Sequence, residues 1–218
     1  MPCYSYVFFD LLPDLGSLPR AEIEAGKEAF VQCLRGRGNL RAEAYVTLGL
    51  KPGTRFMLHL NAWEAADIAR AVSWLLHTPL GSRLRVTHSL TGLVRSSQYN
   101  PGHASKESSP EAPHRYLTVY PFTKTEAWHQ LPYDERRAMM KEHVEVGRKY
   151  SSSISQLLLY SFGIDDQEFI VSYQMDSLEE FQSLVMELRG TRGRVYTKSD
   201  TPIFTGVHTS IEEALDTL

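Results

Sequence analysis

The chain has 218 residues, 42% of them hydrophobic, and a formal net charge of −3. That length supports one large domain or two small packed ones, each with a real core. The acidic balance argues against general nucleic-acid binding, and no run approaches the roughly 18 apolar residues of a membrane span.

The N-terminus MPCYSYVFFDLLPD has no basic region and no small-residue cleavage site, so a cytoplasmic protein is expected. Cys3 and Cys33 are too few for a disulfide framework and lack metal-like spacing, and read as free thiols. Taken in order, YSYVFF is a strand, Pro19 with Glu22 and Glu24 opens a helix, and EAYVTLGL and RFMLHL are strands. EAADIARAVSWLL is a helix ending near Pro79 and Gly81, and RLRVTHSLTGLV alternates as a fourth strand. This is the β-α-β-β-α-β order of a ferredoxin-like fold. RSSQYNPGHASKESSPEAPHR follows, rich in Ser, Pro and Gly, and loops of that length are usually functional or disordered.

The same order then returns as YLTVYPF, a helix after Pro132, SQLLLYSFG, QEFIVSYQM, the helix LEEFQSLVMEL and TPIFTGV. The copies match at an offset of 113: Leu18-Pro19 with Leu131-Pro132, Phe56 with Phe169, Ile68 with Phe181, Thr78 with Thr191. Gly92 matches Gly206 at 114. The expected fold is therefore α+β, with tandem ferredoxin-like repeats forming a dimeric α+β barrel-type subunit. Residues 1–94 form the first half, 95–115 a linker and 116–218 the second half.

In the helix after Pro132, Met139, His143, Val146 and Gly147 fall at i, i+4, i+7 and i+8, with Met140 beside them, so His143 is expected to face inward. A lone histidine on such a stripe is commonly just a core residue. Gly147 changes the balance, because a mid-helix glycine costs about 1 kcal/mol relative to alanine. It makes sense one turn beyond an inward histidine if something flat and wide approaches the backbone, as a porphyrin would. The repeat supplies a control: carried back by 113, His143 and Gly147 become Phe30 and Leu34, so the second half holds the site.

Three more polar groups could share that pocket. Period two puts Tyr116, Thr118 and Tyr120 on one strand face, and Pro121 should confine that strand to an edge or end. Lys124 could supply a cation at the same rim, and Gln156 a neutral donor and acceptor in an apolar setting. Asp165-Asp166 reads as a hairpin turn and the RGTRGR arginines (Arg189, Arg192, Arg194) as a solvated loop; Trp63, Trp74 and Trp128 read as packing. Ser177 with Glu180 reads as a capping box, Gly190 as a C-cap and SIEEALDTL as a short capped helix. Phosphate loops, GxSxG, CxxC and HExxH are absent.

The linked motifs YPFTKTEAW, LPYDERRAMMKEH, GRKY, LLLYSFGIDDQEF and DTPIFTG closely resemble the chlorite dismutase-like heme proteins, a group that includes the coproheme decarboxylases of heme biosynthesis. The resemblance implies that His143 is the proximal iron ligand and that the chain forms a homopentamer. Dismutases of the family carry an arginine 13 residues after that histidine, where this chain has Gln156, and an acid after the last helix, which RGTRGRVYTK lacks. Tyr120 matches the tyrosine that forms a radical and takes hydrogen from a propionate, and Lys124 a basic residue that binds propionate. His103 stands at the spacing of a distal histidine base in another decarboxylase branch, so Gln156 and His103 both remain distal candidates. The implied activity is hydrogen peroxide-dependent decarboxylation of iron-coproporphyrin III to heme b. The alternatives are a chlorite dismutase-like or peroxidase-like enzyme, or a non-catalytic heme-binding protein.

Overall fold

A computed structural model describes residues 2–13, 19–35, 38–99 and 113–218. Its contacts divide into two compact units, Met1–Leu93 with Phe204–Leu218, and Val94–Ile203.

The first unit contains β1 (Cys3–Leu11), α1 (Arg20–Leu34), β2 (Leu40–Val46), β3 (Phe56–Ala62), α2 (Ala65–Leu76) and β4 (Leu84–Leu93). All strand pairings are antiparallel and the order β4-β1-β3-β2 is ferredoxin-like. Odd positions of β1 and even positions of β2 and β3 share one face. There Val7, Phe9, Ala44, Phe56 and Leu58 pack under Phe30, Val31 and Leu34 of α1 and Ile68, Ala71 and Leu75 of α2. Phe9, Phe30 and Phe56 are fully buried and in mutual ring contact, each worth roughly 1.5–3 kcal/mol of apolar burial.

The second unit contains β5 (Tyr116–Lys124), α3 (Glu126–Gln130), α4 (Tyr133–Arg148), β6 (Ile154–Tyr160), β7 (Phe169–Met175), α5 (Leu178–Arg189) and the short β8 (Thr197–Ser199). Strands β5, β7 and β6 repeat the arrangement of β1, β3 and β2. The repeat extends to caps: Pro19 and Pro132 both stand at helix N-caps with extended ψ, and Thr78 and Thr191 each donate to the carbonyl three residues back, at 2.7 and 2.8 Å. The mixed α+β fold of two ferredoxin-like copies is thus present, and the counterparts of His143 and Gly147, Phe30 and Leu34, are buried.

Several local expectations are corrected. β5 does not stop at Tyr120; Pro121 lies within it opposite Ile170, and the register slips only between Thr123 and Lys124 against β8. Trp63 and Trp74 are exposed, and only Trp128 of the three tryptophans is buried. Ser177 accepts from the Glu180 N–H, while the full reciprocal capping box forms at Ser210 and Glu213, opening α6 (Ile211–Leu215). Gly190 caps α5 in right-handed geometry. The final strand β9 (Phe204–Thr209), whose sequence reads as the last strand of the second copy, pairs with β2 through Ala44–Thr209, Tyr45–His208 and Val46–Val207.

That pairing explains Gly206. A Cβ there would lie 2.8 Å from Tyr45 Cβ and 3.0 Å from Met57 Cε, in a region without slack. Gly206→Ala should destabilise the protein by about 1–3 kcal/mol in urea unfolding.

Candidate functional site

Cross-strand partners share a face, so Tyr116, Thr118, Tyr120 and Phe122 of β5 line up with Met175, Tyr173, Val171 and Phe169 of β7, and with Ile154, Gln156, Leu158 and Tyr160 of β6. Helices α4 and α5 cover this face: Val146 of α4 and Tyr150 just beyond its end, with Phe181, Leu184 and Leu188 of α5, pack in one cluster with Tyr120, Val171, Tyr173 and Leu158. His143 lies one turn before Val146 and Gly147 on the same side of α4. The expected helix stripe, the strand face and the site residues Tyr120, Gln156 and His143 therefore belong to one layer.

The stripe is not sealed. Met139 is the only fully buried residue of α4, and His143, Val146 and Gly147 are half-buried. A Cβ built on Gly147 meets no atom within 4 Å, so no contact within the protein requires glycine there. Burial, and secondarily the charge of Lys124, lower the His143 pKa. The imidazole therefore stays neutral, with a lone pair available, to lower pH than a free histidine, as a metal ligand needs. None of the hydrogen bonds among the described residues uses its ring nitrogens.

Lys124 is held by surroundings that do little to compensate its charge. Nζ donates to the Gly193 carbonyl at 3.1 Å and sits 4.2 Å from the Trp128 ring centroid and 5.3 Å from that of Phe122. Desolvation outweighs the attraction of Glu168 and takes its pKa from 10.5 to about 8. Glu168 is engaged elsewhere, accepting from the Lys124 backbone N–H at 2.8 Å and pairing with His129 at 2.7 Å. Tyr120 is half-buried and its phenol is pushed up to about 12, chiefly by burial.

Gln156 is exposed rather than set among apolar groups, although its neighbours across the ladder are Tyr173 and, one step along, Val171. His103 lies outside the described residues. Two of the RGTRGR arginines, Arg189 and Arg194, pair with Asp200 at 2.8 and 2.7 Å, and Arg192 pairs with Glu142 at 2.9 Å. Sequence reasoning missed the residues that support the site: Trp128 under Lys124, on the unforeseen helix α3, and Tyr173, whose ring stacks on Tyr120. The only available signal for Tyr173 was its parity with Val171 and Met175 in FIVSYQM.

Among the described residues no group of three or more His, Cys, Asp or Glu could hold a bare metal ion. One neutral histidine with open space a turn away suits a metal whose remaining ligands come from elsewhere, as in a metalloporphyrin. The sequence model of the family described as Chlorite dismutase matches residues 20–209. The chain belongs to the chlorite dismutase family. A coproheme decarboxylase from Mycolicibacterium smegmatis is 28% identical over 201 residues, covering 90% of this chain and 85% of that protein. In fold, a mutant chlorite dismutase from Candidatus Nitrospira defluvii superposes with a TM-score of 0.91 at 24% identity, covering 99% of this chain and 94% of the other. The chlorite dismutase of the same organism in complex with imidazole gives 0.90 at 22%, with the same coverage. Among the described residues no helix is long and apolar enough to cross a membrane.

Within this family member the lysine offers a direct test. Its folded-state value near 8 lies below the ordinary 10.5, so between these pH values the unfolded chain binds the proton more readily and stability rises with pH. Lys124→Met lacks that dependence. In urea titrations the stability of wild type relative to Lys124→Met should shift in favour of wild type from pH 7.5 to pH 10.

Proposed function

We propose that this protein is a heme-type oxidoreductase that decarboxylates iron-coproporphyrin III to heme b with hydrogen peroxide. The observation that carries the proposal is the neutral, half-buried His143 beside the uncovered backbone of Gly147, in one layer with Tyr120. The relation to a coproheme decarboxylase supports it. Bound iron-coproporphyrin III would supply, with peroxide, the two oxidising equivalents each propionate needs.

His143 would give a nitrogen lone pair to the iron, and Gly147 would let the macrocycle lie close to α4. No described carboxylate hydrogen-bonds the other ring nitrogen, so the histidine is a weaker electron donor than one paired with an acid. Tyr120 would lose its phenolic hydrogen to the oxidant and take a hydrogen atom from the propionate carbon next to the ring. Loss of a second electron and of carbon dioxide leaves the vinyl group. Each turn consumes one propionate, one peroxide and one proton, and yields one vinyl, one carbon dioxide and two waters.

Lys124 has donors left after Gly193, and a carboxylate is the partner its buried ammonium lacks. Gln156, neutral and exposed on the same face, and His103 complete the candidates for the side facing away from His143. With Phe30 and Leu34 in its equivalent places, the first copy would hold no heme. The homopentamer implied by the resemblance is checked by light scattering of the purified protein.

Titration of iron-coproporphyrin III with peroxide, followed by the Soret band and porphyrin mass, should show stepwise loss of two carboxyl groups. Bleaching without mass loss, with oxygen release from chlorite, would favour a dismutase-like enzyme; absence of turnover with either oxidant would favour a heme carrier. Tyr120→Phe should bind coproheme as wild type does and form no vinyl. Gly147→Ala should stabilise the protein by about 1 kcal/mol in urea unfolding, its helix-propensity gain, because nothing packed against the helix opposes a Cβ there, yet weaken coproheme binding.

A further inference from the structure

The β5–β7 ladder ends at the pair Phe122–Phe169, and beyond it the register of β5 slips toward β8 between Thr123 and Lys124. Where the ladder stops, Glu168, the residue before β7, continues it with its side chain. One carboxylate oxygen accepts the Lys124 N–H at 2.8 Å, and the other lies 2.7 Å from Nε2 of His129. The base of that side chain is fixed too, since the Glu168 carbonyl accepts the Ser161 N–H at 2.8 Å. The side chain is only 20% exposed, so water competes weakly for it.

Residues 124 and 129 bracket the turn that carries the rim of the site. Thr125 caps α3, its hydroxyl accepting the Trp128 N–H at 3.3 Å, and its own N–H donates to the Tyr196 carbonyl at 2.9 Å. α3 has five residues, against the roughly 12–15 that a helix needs to hold itself in water, so ties of this kind set its position. Glu168 ties both ends of the segment with one side chain. A held N–H restrains the peptide plane before Lys124 and with it the Cα–Cβ direction, so the first tie sets where the lysine stem begins. The second holds the helix whose Trp128 ring lies 4.2 Å from Nζ, where the stem ends.

Building on the function proposed above, we propose that Glu168 is a positioning residue for Lys124: its carboxylate clamps both ends of the 124–129 segment, so that the ammonium already stands at the rim when a substrate carboxylate arrives. Both oxygens of Glu168 are occupied by the clamp. The Lys124 donors left after Gly193 stay available to the substrate. A lysine held this way gives up little side-chain freedom on binding, and that saving appears as affinity for a carboxylate-bearing porphyrin. The charge of Glu168 works in the same direction, drawing the ammonium's pKa upward against desolvation.

The test is a double-mutant cycle on the full chain. Binding of iron-coproporphyrin III is followed by the Soret band at pH 7, below the Lys124 pKa of about 8. Glu168→Ala should weaken binding about tenfold, the cost of ordering one long side chain, and by no more than about twofold when Lys124→Met is also present. Glu168→Gln keeps an oxygen for the Lys124 N–H and an amide for His129, and should bind within about threefold of wild type. Equal weakening by Glu168→Ala with and without Lys124 overturns the proposal and leaves Glu168 purely structural. A loss in Glu168→Gln as large as in Glu168→Ala overturns it too, since charge alone would then be responsible. Were Glu168→Ala not to fold, His129→Ala cuts one arm of the clamp at a residue 40% exposed and runs the same cycle; about threefold weakening is expected only with Lys124 present, and equal weakening again overturns the proposal. Wild-type protein that binds coproheme and forms no vinyl removes the decarboxylase function, while the cycle still decides the role of Glu168. Wild-type protein that does not bind coproheme overturns both.

Discussion

The incomplete cover of one sheet face by one helix governs the second half of this protein. Helix α4 is anchored at its C-terminal end, where Val146 and Tyr150 join the cluster built on Val171, Tyr173 and Leu184. Its preceding turn carries His143 and is only half covered. A helix fully sunk into the core would have an apolar side chain at each of these positions, as α1 does with Phe30 and Leu34. The second copy gives up that burial, of the order of 2 kcal/mol per large side chain, and gains a neutral imidazole with free lone-pair geometry.

Electrostatics follow from the same arrangement. Partial burial is the largest influence on His143, Lys124 and Tyr120 alike, and in each case it disfavours the charged form. The imidazole is kept unprotonated, the ammonium is made ready to accept an anionic partner, and the phenol is kept from ionising. Full ion pairing would have cancelled these effects. The surrounding charges are instead paired among themselves, Asp200 with Arg189 and Arg194, Glu142 with Arg192, and Glu168 with His129. Lys124 is left with a backbone carbonyl and two aromatic rings, which satisfy a cation weakly.

The two copies share a backbone plan and differ in what their equivalent positions carry. Proline N-caps and the threonines that close α2 and α5 recur because they satisfy the same orphan backbone groups at the same helix ends. On the helix face the divergence is one of side chains, Phe30 and Leu34 in the first copy against His143 and Gly147 in the second.

Most of the element order and the internal repeat were legible in the sequence by itself, because hydrophobic period and capping chemistry are local. His143, Gly147 and Tyr120 stand out there as candidates, each against its own segment, by a nitrogen in an apolar stripe, a gap in a helix, or a phenol before a proline. Tertiary structure alone decided how exposed Gln156 is, which ring supports Lys124, that Trp63 and Trp74 face outward, and that β9 joins β2. It alone also brought Tyr173 onto Tyr120, since strand register couples residues far apart in the chain and a tyrosine in a buried strand looks like any other core residue until its partner across the ladder is known.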